Sequence, residues 1–201
     1  MNKTITCFIP YGSENQINKT IRHLQECSTV DRIFLLPTSP VPNLSLPDKC
    51  YILPSSAPES VERYKQVALY ANTPFTLICT QVQDLEFGYM ALERMCDYLS
   101  APQCSMVYAD HYQQIDGVQK TAPVIDYQPG SLRDDFNFGS VLLFNANAFK
   151  EVIENTEEEY QYAGLYDLRL KISQKSKLVH SSAPMLTIAT RGFLMPTTCS
   201  M

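Results

Sequence analysis

Basic charge is in short supply in this chain. Lys and Arg number 16 against 21 Asp and Glu, and the net charge of -5 leaves no basic footprint for nucleic acid. Long apolar runs are absent too. None approaches the roughly 20 residues needed to cross a bilayer. The opening MNKTITCFIPYG has too short an apolar stretch for a signal peptide. These absences predict a cytoplasmic protein, with a peripheral role at a membrane left open. The seven cysteines show no metal-finger spacing, and Cys7 and Cys79 fall on apparent strands and Cys96 on a helical pattern. They read as reduced core residues, not as a disulfide framework. His23, His111 and His180 lie far apart and suggest no local metal motif. No internal repeat is visible.

What is present is an ordinary globular balance, 45% hydrophobic and 18% charged over 201 residues. That is enough for one sizeable core. A single domain over 1–190 is expected, with 191–201 low in pattern and frayed. The chain is organised around 75–90, FTLICTQVQDLEFGYM. Phe75, Leu77, Ile78 and Cys79 predict a buried strand. Phe87, Met90, Leu92 and Met95 recur at helical spacing. The polar tip between them, Thr80 to Glu86, falls where an α/β sheet usually binds its ligand.

Before that stretch, strands are expected at Thr4–Pro10, Val30–Leu36 and Tyr51–Leu53. A first helix is expected from a Ser13 or Asn15 cap to Glu26, and a second from near Ser60. Alternation of this kind predicts a mostly parallel sheet flanked by helices. After Pro102 the pattern changes. Ser105–Tyr108 and Ser140–Phe144 read as strands, and Asp116-Gly117 as a hairpin turn. Ala148–Asn155 and Tyr166–Gln174 read as helices, and Lys177–Val179 and Met185–Ala189 as two short strands.

Five segments in this order resemble the family 2 glycosyltransferases of the GT-A fold. TCFIPYGSENQINKTIRHL is similar to that family's opening strand, turn and first helix. VERYKQVALYANTPFTLIC is similar to its nucleotide-facing helix and central strand, and DLEFGYMALERM to the segment after its metal motif. MVYADHYQQIDG and GLYDLRLKISQKSKLVHSSAPMLTIATR are similar to later strands and helix. The resemblance implies an α/β fold of the GT-A, nucleotide-diphospho-sugar transferase type. It implies transfer of a sugar from a nucleotide-sugar donor to a hydroxyl of a carbohydrate acceptor, with inversion. In such a reaction a carboxylate takes the hydroxyl proton, and a cation, usually a divalent metal on Asp-x-Asp, neutralises the leaving diphosphate.

The sequence departs from the family at those points. The metal motif falls on Thr80-Gln81-Val82, which offers no carboxylate, so no tightly held divalent metal is expected there. Asp84 and Glu86 just beyond are either a slipped metal site or the acids of a first helical turn. The family's acidic pair falls on Gly164-Leu165. Candidate donor-binding residues are Tyr11, for stacking on a base, and Arg63, Lys65 and Arg133, for the diphosphate. Candidate bases are Asp110, at the end of VYAD, and Asp134 or Asp135 in the polar stretch 126–138. Each has a bland counterpart: a solvated helix face for the basic residues, a self-satisfied loop for the acids. Two readings follow. One is an atypical glycosyltransferase. The other is a GT-A-type domain that has lost catalysis and binds a sugar, a nucleotide or a partner. The resemblance also leaves open that the chain is a fragment of something longer.

Overall fold

A computed structural model describes residues 4–12, 14–41, 45–128 and 136–189. The first half alternates strand and helix: β1 (Ile5–Tyr11), α1 (Glu14–Glu26), β2 (Val30–Pro37), β3 (Cys50–Ile52), α2 (Val61–Tyr70) and β4 (Phe75–Cys79). Then come β5 (Leu85–Phe87), α3 (Ala91–Leu99), β6 (Cys104–Ile115) and β7 (Val118–Ala122). The chain continues with β8 (Val141–Asn145), α4 (Ala146–Glu154), α5 (Gly164–Lys175) and β9 (Lys177–Ala189).

The strands form one sheet in the order β3-β2-β1-β4-β8-β6-β9-β5, with β7 paired to β6. The protein is α/β, but the expectation of a mostly parallel sheet is corrected. β1, β2, β3 and β4 pair in parallel, whereas β8 runs antiparallel to both of its neighbours, β4 and β6. β6–β7 and β5–β9 are also antiparallel, and β6–β9 is parallel. The sheet is therefore mixed. The physical reason is that strand direction depends on which distant segment fills each place, and nothing local in SVLLF encodes that.

Local signals did set several element ends. The Ser60 side chain accepts from Arg63 N–H and caps α2, and Asn145 accepts from Asn147 and Ala148 N–H to cap α4. Asp116 and Gly117, at φ 51° and 79°, make the β6–β7 turn, the two positive φ values that a type I′ hairpin requires. Two expected strands merge into β9. The expected helix start at Phe87 is a strand instead, because Met90 at φ 51° breaks the helical path and α3 begins at Ala91.

Alternation along each strand divides the core in two. On one face Ile5, Cys7, Leu77, Leu143 and Val107 pack with α1, α3 and β5. On the other, Phe8, Phe34, Ile78, Leu142, Tyr108 and Leu178 pack with α2, α4 and α5. β4 lies inside the sheet, with Leu77 0% and Cys79 1% exposed.

Candidate functional site

From β1 the chain builds outward in one direction, through β2 to β3. It then returns to place β4 on the other side of β1. Helical connections that diverge from such a reversal leave a crevice at the carboxyl ends of the two strands. A cleft of about 130 Å³ occupies this place, lined by Tyr11, Thr38, Arg63, Tyr64, Thr80 and Val82.

The crevice is one end of a longer polar row. Side chains two residues apart on a strand share a face. On the α2/α4/α5 face, the apolar rows are Ile78 on β4, Leu142 on β8, Tyr108 on β6 and Leu178 on β9. Further along, that face carries Thr80 beyond β4, Ser140 before β8, Asp110 on β6 and His180 on β9. The register brings Thr80, Ser140 and Asp110 level, whereas His180 is level with Tyr108, one step back. Cys79 pairs with Val141 and Tyr108 with Leu142, so Thr80 and Asp110 lie on either side of Ser140. Thr80 N–H donates to Ser140 O at 2.9 Å, and Thr80 Oγ1 donates to Gly139 O at 3.3 Å. Tyr108 is paired with His180 across the parallel β6–β9 ladder.

Asp110 is 6% exposed. Its Oδ1 accepts from Val124 N–H at 2.9 Å and lies 2.7 Å from His180 Nε2. His180 Nδ1 is within hydrogen-bond distance of Asp126 Oδ1. Burial works against charge on His180, but the hydrogen bonds to Asp126 and Asp110, and their charges, outweigh it and raise the ring's pKa. His111, on the opposite face, is lowered by burial. At the cleft wall, burial raises Glu59 above the usual carboxylate range, although Arg169, a bond from Tyr64 and Arg63 pull the other way.

Tyr11 ends β1 and lines the cleft, 9% exposed. Arg63 is 2% exposed and turned inward. Its Nε donates to Ser56 Oγ at 3.2 Å, Nη1 to Leu36 O at 3.4 Å, and Nη2 to Pro37 O at 2.8 Å and also to Ser56 O. It clamps the end of β2 to the segment after β3. Lys65 lines a separate groove with Lys150 and Glu154, away from the cleft. Asp110 joins the row. Arg133, Asp134 and Asp135 lie outside the described residues. The flanks of their stretch do reach the row, through Asp126 at His180 and Gly139 at Thr80.

Glu86 is on β5, not on a helix, and pairs with Lys19 of α1 at 2.7 Å. Thr80, Gln81 and Val82 follow β4 and carry no carboxylate. Among the described residues no group of three or more His, Cys, Asp and Glu is placed to hold a metal ion. Nor is any helix long and apolar enough to cross a membrane.

Sequence reasoning missed His180, and it marked the polar stretch 126–138 without giving Asp126 a role. The one available signal was the strand pattern: Tyr108-Ala109-Asp110 and Leu178-Val179-His180 each end an apolar alternation on a polar side chain. Their juxtaposition needed the β6–β9 register. No family model matches the chain, and no curated protein matches it.

Proposed function

We propose that this chain is an atypical GT-A-type glycosyltransferase, moving a sugar from a nucleotide-sugar donor to an acceptor hydroxyl. The observation that carries the reading is the polar row that starts at the end of β4. It joins a cleft at the sheet's reversal point to a carboxylate, Asp110, through Thr80 and Ser140. The cleft has room for one base-sized ring, beside Tyr11 and Tyr64. The sugar would then extend along the row towards Asp110. There the acceptor's O–H bond breaks, its proton passes to the carboxylate, and its oxygen attacks the anomeric carbon. The bond from that carbon to the phosphate oxygen breaks, and the diphosphate leaves with the electron pair. General-base catalysis of this kind contributes about 10²–10⁴-fold.

A second reading is favoured by one specific feature. Thr80-Gln81-Val82 supplies no carboxylate for a metal, and four Arg63 donor bonds go to protein oxygens. Neither offers the leaving diphosphate a charge. A GT-A-type domain that binds nucleotide or sugar without turnover fits that feature.

A thermal-shift screen against UDP-, GDP- and dTDP-sugars, with Mn²⁺ and with EDTA, tests both readings. A bound donor at a hundredfold excess over its Kd stabilises the native state by about 2.7 kcal/mol. Stabilisation with release of nucleoside diphosphate supports the transferase. Stabilisation without release supports the binding module, and no stabilisation by any donor overturns both.

A further inference from the structure

Asp110 is held from a second direction by a charged ring. His180 faces a carboxylate with each of its nitrogens, Asp110 Oδ1 at Nε2 and Asp126 Oδ1 at Nδ1. A neutral imidazole has one N–H and one lone pair, so one of these carboxylates would meet a lone pair. Two carboxylate partners select the imidazolium, which donates from both nitrogens. The upward pKa shift of the ring agrees with this.

The ring is also fixed in plane. It stacks on Tyr108 at 5.0 Å and 14°. The Tyr108 hydroxyl donates to Ile125 O at 3.1 Å and accepts from Tyr127 N–H at 2.7 Å. The stretch carrying Asp126 is thus tied to β6 on both sides of that residue. The groups facing His180 are Asp110 and Tyr108 from β6, and Asp126 from this stretch. Arg169 lies further off, over the Phe138 ring that packs edge-on to Tyr108.

We propose that His180 is a positioning residue: as an imidazolium, anchored on its outer side by Asp126, it holds the Asp110 carboxylate in one orientation for proton acceptance. The inference rests on the glycosyl-transfer reading. Val124 N–H and His180 both bond Asp110 Oδ1, so Oδ2 is the oxygen turned to the acceptor. The proton leaves the acceptor oxygen for Oδ2 as that oxygen bonds the anomeric carbon and the diphosphate departs with its electron pair. When pH rises through the ring's pKa, His180 keeps one N–H. One carboxylate then faces a lone pair and the clamp opens.

The test uses the full chain and follows nucleoside diphosphate release from UDP-, GDP- and dTDP-hexoses against pH, in the wild type, His180→Gln and Asp126→Asn. Gln keeps an N–H for Asp110 but does not titrate. The Asp126 side chain is 78% exposed, so Asp126→Asn leaves the fold intact and carries the test should His180→Gln not fold. The wild type is expected to lose turnover on the alkaline side. Asp126→Asn is expected to move that limb to lower pH. His180→Gln is expected to remove the limb and lower kcat by about tenfold to a hundredfold, with the donor KM unchanged. Imidazole ¹⁵N shifts are expected to give a doubly protonated His180 at neutral pH.

A neutral His180 at that pH overturns the proposal. So does an alkaline limb unmoved in both variants, and in that case glycosyl transfer still stands. A wild type that neither binds nor cleaves any donor overturns the glycosyl-transfer reading and the positioning role with it.

Discussion

Arg63 and His180 are the residues whose roles depend most on their surroundings. In sequence, Arg63 sits on an amphipathic helix and reads as a phosphate ligand or a solvated charge. The Ser60 cap fixes the start of α2, and from there Arg63 points into the protein towards the end of β2. Its guanidinium supplies N–H donors to the Leu36, Pro37 and Ser56 carbonyls. Arg63→Met should therefore cost about 3 kcal/mol of stability, because hydrogen bonds from a buried charged group are strong. Urea unfolding measures this; a cost below about 1 kcal/mol would mean that water serves those carbonyls equally well.

His180 gives a pH-dependent prediction. Its folded-state pKa is raised relative to the unfolded value of about 6.5. The stabilisation is then fully present below the unfolded value and is lost as pH rises through the folded one. His180→Gln should thus destabilise the protein more in mildly acid buffer than in alkaline buffer. Paired unfolding curves at the two pH values check the sign. A larger effect on the alkaline side would mean that the ring is buried neutral.

At the scale of elements, β4 was legible because it is short, apolar and bounded by polar tips, and burial of its side chains drives its formation. Leu77→Ala should cost about 2–5 kcal/mol. Leu69→Ala, on a side chain 74% exposed, should cost within about 0.5 kcal/mol. Equal effects would contradict the interior placement of β4. The start of α2 near Ser60 was legible too, since a side-chain acceptor before a helix is a local signal. β5 was not. Its Leu85, Glu86 and Phe87 fit a helical stripe as well as a strand, and pairing with Leu186 to Ile188 decides the matter across a long sequence separation. The union of Lys177–Val179 and Met185–Ala189 into β9 was hidden for the same reason, with register shifts in its ladder to β6.

Gly164 marks another non-local constraint. A Cβ there would sit 2.8 Å from Glu59 O and 2.9 Å from the Val61 nitrogen, where α5 docks on the start of α2. Gly164→Ala should cost about 1–3 kcal/mol by forcing these helices apart. A neutral effect in thermal unfolding would mean that the contact is looser than drawn. The family-like acidic pair would fall on Gly164-Leu165, so this packing also disfavours a carboxylate at position 164.

For the whole molecule, function is set by how the sheet is assembled. The α/β alternation of the first half was readable and gives the parallel strands that diverge at β1 and β4. The second half closes the sheet with antiparallel β8, and that strand carries the polar row from Thr80 across to Asp110 and His180. Asp110 was legible as the carboxylate that closes the apolar run VYAD, although β6 runs on past it to Ile115. Its partner His180 was not, because it reaches Asp110 from 70 residues away and is itself met by Asp126 from another stretch. The central claim is that a nucleotide sugar lies along this row. The most direct measurement is amide chemical-shift mapping of the full chain, titrated with UDP-, GDP- and dTDP-sugars in EDTA. The expected result is a saturable set of shifts at Tyr11, Thr38, Thr80, Ser140 and Asp110. Shifts centred on Lys65 and Lys150, or none with any donor even after Mn²⁺ is added, would contradict it.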